Sequence, residues 1–194
     1  MSEDADRSLR ALPSGESGQS GLTVRAATPD QASDVARIYV DCWRSGYHGI
    51  LPAAFAERLS YEDQTDIWHK VLRTPGNATL LAVTADGAVV GFLCGGPERS
   101  GSTGFFAEIY GLYVLPEQRG QGTGRLLFRR FCAQLASIGL RSLLVRVLEA
   151  NPVGAFYEAL GGTEQEQRLV RVAGRTLNEV AFGWRDILSA GRGR

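Results

Sequence analysis

Leu112-Tyr113-Val114-Leu115-Pro116-Glu117-Gln118-Arg119-Gly120-Gln121-Gly122-Thr123-Gly124-Arg125-Leu126-Leu127 joins an apolar run to an amphipathic one through three alternating glycines. On the near side, Ala107 to Leu115 reads as a strand ended by Pro116. On the far side, about Gly122 to Ile138 reads as a helix burying Leu127, Phe131, Leu135 and Ile138 at three- and four-residue steps. Glycines at Gly120, Gly122 and Gly124 let backbone N–H groups approach a ligand that side chains would block. The helix start adds unpaired amides and the positive end of its dipole, and Arg119 adds a planar cation. Such a turn suits a pyrophosphate. It is not a Walker A loop, because the chain contains no Gly-Lys followed by Ser or Thr. Nor is it a Rossmann fingerprint, because counting from Gly120 puts Arg125 where the last glycine belongs.

Working outward from this turn, the chain alternates strands and helices. Leu22 to Arg25 reads as a short strand. Thr28-Pro29-Asp30 starts a helix whose buried face carries Val35, Ile38, Tyr39 and Cys42, and which fails near Gly46 or Gly49. Pro52 to Leu59 gives a helical turn, and Ser60 to Leu72 a helix with Ile67, Val71 and Leu72 inward. Ala78 to Thr84 and Val89 to Cys94 form a hairpin around Asp86-Gly87. Pro97 to Gly104 is a loop. After the central helix come a strand over Ser142 to Leu148, a short helix over Val153 to Leu160 and a closing hairpin, Gln165 to Val172 and Thr176 to Trp184. This order predicts an α/β domain over residues 22–194, a mixed central sheet of about six to seven strands with helices on both faces. Residues 1–21, rich in Ser, Gly and charge, read as a disordered N-terminal tail.

Composition narrows the function classes. Lys plus Arg equal Asp plus Glu at 21 each, so no net field draws the chain to nucleic acid or an anionic membrane. No run approaches the ~20 apolar residues of a membrane span, and no export signal is visible. Cys42, Cys94 and Cys132 stand far apart in apolar runs and read as reduced, buried thiols of a cytoplasmic protein. With two histidines and no CxxC, no metal site is expected.

The glycine segment resembles the acetyl-CoA motif of GNAT N-acetyltransferases, Arg/Gln-x-x-Gly-x-Gly/Ala after a Leu-Tyr-Val-x-Pro strand. Asn151-Pro152 followed by Phe156-Tyr157-Glu158-Ala159-Leu160-Gly161-Gly162 is similar to the family's Asn-Pro…Phe-Tyr-Glu-x-Leu-Gly block. The resemblance is specific over Glu108 to Gly162 and implies the GNAT fold. It implies acetyl-CoA as cosubstrate, with its pyrophosphate on Arg119 and the backbone of Gly120, Gln121, Gly122, Thr123 and Gly124. The pantetheine arm would lie along Leu112, Tyr113 and Val114 like an added strand, with Asn151 and Tyr157 beside it. The acceptor would be a small-molecule or peptide amine. Family members often pair through sheet edges or terminal strands, which makes a homodimer an expectation.

Acyl transfer to an amine poses two proton problems. An alkyl ammonium of pKa ~10.4 must lose a proton, roughly 4 to 5 kcal/mol at pH 7, and the leaving thiolate needs one. By the resemblance Tyr157 is the acid, its hydroxyl turned to the CoA sulfur; by pattern alone it is an aromatic packed on the sheet. Glu108 is the candidate base, because period-two alternation puts Glu108, Tyr110 and Leu112 on one face and some GNAT enzymes use a glutamate there. The competing reading makes Glu108 a strand-end carboxylate or the partner of an arginine such as Arg146. Glu149 is the reserve base. Trp43, Tyr47 and Tyr110 are the candidate acceptor wall, with Asp41 and Arg44 nearby; aromatics with a carboxylate suit a cationic amine, and rim packing is the alternative. The leading expectation is direct attack in a ternary complex. A non-catalytic acyl-CoA-binding regulatory module is the alternative.

Overall fold

The computed structural model describes residues 21–47 and 49–188. The tail expected over residues 1–21 therefore lies outside the described residues, Gly21 excepted, as do His48 and residues 189–194.

Among the described residues, twelve strands and α-helices follow one another: β1 (Thr23–Ala26), α1 (Ala32–Gly46), α2 (Ala53–Glu57), α3 (Tyr61–Arg73), β2 (Ala78–Val83), β3 (Val89–Pro97), β4 (Ala107–Val114), α4 (Thr123–Ser137), β5 (Leu143–Leu148), α5 (Gly154–Ala159), β6 (Thr163–Val172) and β7 (Arg175–Trp184). The strands make one seven-stranded sheet in the order β1-β2-β3-β4-β5-β7-β6. Every pairing is antiparallel except β4 with β5. The expected mixed sheet with helices on both faces is the one observed.

Apolar faces explain the layers. Leu127, Phe128, Phe131 and Leu135 of α4 are buried against Leu80, Leu93 and Ile109 on one side of the sheet. Val35, Ile38 and Cys42 of α1 join Trp68, Leu81 and Phe92 on the other. Close approach of α4 depends on Gly95 of β3, where a Cβ would stand 2.6 Å from the Phe131 ring. One inward assignment changes. Ile67 is 48% exposed while its neighbour Trp68 is buried at 8%, because the indole packs edge-on against Phe92 and Tyr39.

The alternation expected along β4 also breaks. β3 pairs Gly95 with Ile109 and Cys94 with Gly111, leaving Tyr110 as the extra residue of a bulge. Arg99 pairs with Glu108 and lies over the Tyr110 ring, so these two share a face. Leu112 turns to the opposite face and packs with the α4 core. That bulge is the fold's entry to the site.

Candidate active site

β4 and β5 pair only from Ala107↔Leu143 to Ile109↔Val145. Past the bulge they separate, and residues 110–114 and 145–148 line a cavity of about 810 Å3. The Leu115 N–H donates to the Val90 carbonyl at 3.0 Å, which fixes the phase of the β3–β4 ladder. In that phase the backbone polar groups of Leu112 and Val114 face away from β3, into the gap. The Val114 carbonyl already accepts from Arg119 Nε at 2.9 Å and from the Cys42 thiol at 3.3 Å. What the strand has left for a ligand is the N–H groups of Leu112 and Val114 and the Leu112 carbonyl.

One end of the cavity is the glycine turn. Gly120 and Gly122 take φ +73° and +86°, and a Cβ on either would have nothing within 4 Å. Gly122 caps α4, so the unpaired amides of that helix open on the same space. Arg119, Gly120, Gly122, Thr123 and Gly124 line the cavity, joined by Gln118 and Arg125. Gln121 turns its side-chain amide back to the Glu117 carbonyl at 2.7 Å and lies off the wall. Bare backbone, a helix start and two guanidinium groups fit the pyrophosphate of coenzyme A.

Across the gap stands Tyr157 of α5, buried and packed edge-on against Phe156. Burial, with the nearby Tyr47 hydroxyl adding to it, pushes its phenol far above the ordinary range, so it stays neutral. Asn151 accepts from the Val153 N–H at 3.1 Å, and burial raises the pKa of the Tyr47 hydroxyl on the same wall. Tyr47 stacks on Trp43 with ring centroids 4.1 Å apart and planes 11° from parallel. Trp43 Nε1 donates to the Tyr113 hydroxyl at 3.2 Å. Tyr110 donates to the Pro97 carbonyl at 2.7 Å, and burial pushes its own pKa up to about 12. Trp43, Tyr47, Tyr110, Leu112, Tyr113, Val114, Asn151 and Tyr157 thus share one cavity.

Other candidates fall elsewhere. Glu108 is 1% exposed and off the cavity wall. Its carboxylate accepts from Arg99 Nε at 3.0 Å, Arg99 Nη2 and the Arg99 backbone N–H at 3.2 Å. Its arginine is therefore Arg99, from the loop after β3, and Arg146 pairs with Glu166. Asp41 accepts from the Tyr61 hydroxyl at 2.7 Å, and Arg44 donates to the Leu59 carbonyl at 2.8 Å. Glu149 accepts from the Asn178 side chain at 3.1 Å on the exposed surface. Three charged wall residues lie outside the expected set: Arg125 of α4, Glu179 of β7 and Arg146 of β5. Arg146 is the single charge of an apolar strand and Glu179 directly precedes the apolar run Val180-Ala181-Phe182, positions where a charge marks pairing or function. Cys42 also reaches the wall, and burial raises its thiol above the usual range.

Residues 33–161 match the Acetyltransferase (GNAT) family. The chain belongs to that family. This GNAT protein is 36% identical over 166 residues to the Bacillus subtilis N-acetyltransferase YuaI, covering 86% of its own length and 94% of that protein. Among solved structures it resembles yncA of Salmonella typhimurium, named an acetyltransferase and solved with its cofactor acetyl-CoA. The TM-score is 0.65 at 21% identity, over 85% of this chain and 94% of that one. An N-acetyltransferase from Staphylococcus aureus Mu50 gives 0.68 at 16% identity, over 86% and 98%. The GNAT protein is accordingly an N-acetyltransferase that takes its acetyl group from acetyl-CoA. Among the described residues, no helix is long and apolar enough to cross a membrane.

Proposed function

We propose that this enzyme acetylates an amine by direct attack in a ternary complex, with the amine entering between Trp43, Tyr47 and Tyr110. The observation that carries the reading is the single cavity joining the Gly120–Gly124 turn, the open amides of β4 and Tyr157. Acetyl-CoA supplies an activated acyl group, a thioester whose C–S bond breaks as the amide C–N bond forms.

The residues then divide the work. Arg119 and the turn amides hold the pyrophosphate, while the N–H groups of Leu112 and Val114 take the pantetheine arm. An amide of β4 facing the gap also stabilises negative charge growing on the thioester oxygen. Tyr157, kept neutral by burial, donates to the departing sulfur. The proton leaving the amine goes to a carboxylate. Glu108 was the candidate from strand position, but its oxygens are engaged by Arg99. Glu179 lines the cavity and accepts from Arg168 through one oxygen at 2.7 Å; we assign it the proton. Direct attack is supported by Cys42, the cysteine on the wall, whose burial keeps it a thiol and a poor nucleophile.

A panel of amines incubated with protein and acetyl-CoA tests this, read by thiol release and mass spectrometry. Release coupled to a product gaining one acetyl group is expected for some amine. Tight acetyl-CoA binding with no transfer to any class of amine would refute it.

A further inference from the structure

Arg146 is the fourth residue of β5, in Leu143-Leu144-Val145-Arg146-Val147-Leu148. Leu143 and Val145 are buried with the α4 core, and Leu144 packs with Phe105 and Ala181. Arg146 follows Leu144 by two and shares its face, where β5 has already parted from β4. Its side chain is only 5% exposed, although the residue lines the cavity. Nη2 donates to Glu166, which is itself 48% exposed. Nη1 is buried and has no hydrogen-bond partner among the described residues.

A guanidinium does not lose its charge at any pH the fold survives, so its N–H groups cannot be silenced by deprotonation. An N–H buried without an acceptor costs more than the bond would return. The forked donor matches a carboxylate in the plane of the guanidinium. Beside Arg146 on the same wall stands Glu179, an acid, so the acceptor end carries one charge of each sign. A diamine would place its second cation against Arg146. An amine that carries its own carboxylate complements both residues.

Resting on the acetyltransferase reading above, we propose that the acceptor is an amine bearing a carboxylate, of the amino-acid type, and that Arg146 binds that carboxylate. Glu179 then faces the amine end.

The test uses matched acceptors: amino acids, their carboxamides, and the corresponding amines with no carboxylate. Each is assayed with acetyl-CoA on wild-type protein and on Arg146→Ala and Arg146→Lys. The expectation is that wild type prefers the carboxylate form, and that Arg146→Ala lowers its kcat/KM roughly 10- to 100-fold. The carboxamide should change little, and Arg146→Lys should restore part of the loss. Acetyl-CoA affinity, measured by calorimetry, should be the same in all three proteins. If Arg146→Ala does not fold, the wild-type preference alone decides. Equal or faster acetylation of amines lacking the carboxylate overturns the inference while leaving the acetyltransferase reading intact. If no amine is acetylated, calorimetry of the same acceptors on CoA-loaded protein decides, and absence of carboxylate-dependent binding overturns it.

Discussion

Arg99 holds Glu108 with its guanidinium and with its own backbone N–H, so one residue of the β3–β4 loop closes over a carboxylate buried in β4. The same guanidinium lies 4.5 Å from the centroid of the Tyr110 ring at the bulge. Removing the arginine strands a buried acid. Arg99→Ala should cost about 1–3 kcal/mol, toward the low end because Arg99 is itself 59% exposed. Urea unfolding checks this, and pairing the change with Glu108→Gln should recover part of the loss. Equal stability of Arg99→Ala and wild type would show that the clamp carries no weight.

The two carboxylates can be separated kinetically. Glu179→Gln is expected to lower kcat/KM by roughly 10²- to 10⁴-fold and to alter the pH–rate profile. Glu108→Gln should act mainly on stability. The reverse outcome would return the base to Glu108.

Tyr157→Phe keeps the ring that packs on Phe156 and Phe182 and removes only the hydroxyl. It should reduce kcat by at least roughly 10-fold while acetyl-CoA affinity changes little. Unchanged turnover would remove Tyr157 from the acid role.

The glycine turn has an internal control. Gly122 and Gly139 both take positive φ, +86° and +79°, and both have open space where a Cβ would go. They flank the two ends of α4, but of the two only Gly122 lines the cavity. Valine at either position should cost roughly 1–3 kcal/mol of backbone strain. Calorimetry with CoA should then show binding lost in Gly122→Val and kept in Gly139→Val. Matching affinities in the two variants would move the pyrophosphate elsewhere.

Alkaline pH should unfold the protein early. Burial pushes Cys94 from 9.0 to about 11 and Cys132 from 9.0 to about 12, and Tyr39 from 10.0 to about 12. Each folded pKa is raised, so the folded state holds these protons more tightly than the unfolded chain. Their stabilising effect is complete below about pH 9 and is lost as pH climbs toward 11–12. Urea midpoints measured from pH 8 to 11 should fall, and Cys132→Ala should flatten the slope. A flat wild-type profile would contradict the burial of these groups.

Much of this protein is local in its sequence. The period of apolar residues marked α1 and α4 as helices, since one buried face repeats every three or four positions, whereas in α3 the buried face centres on Trp68 and not on Ile67. Gly120, Gly122 and Gly124 marked the turn at the head of α4, because bare backbone is a property of the residue itself and Gly120 and Gly122 take the positive φ it permits. Motif resemblance singled out Asn151 and Tyr157, and both line the cavity. Tertiary structure decided what depends on partners far along the chain. A bulge at Tyr110 arises from the register between β3 and β4, so it sent Leu112 to the opposite face from Glu108. Which arginine meets Glu108 was set by how the β3–β4 loop folds back, and it is Arg99. Arg146 and Glu179 reach one wall because β5 pairs with β7 while parting from β4, and pairing between distant strands leaves no trace in either strand's own pattern.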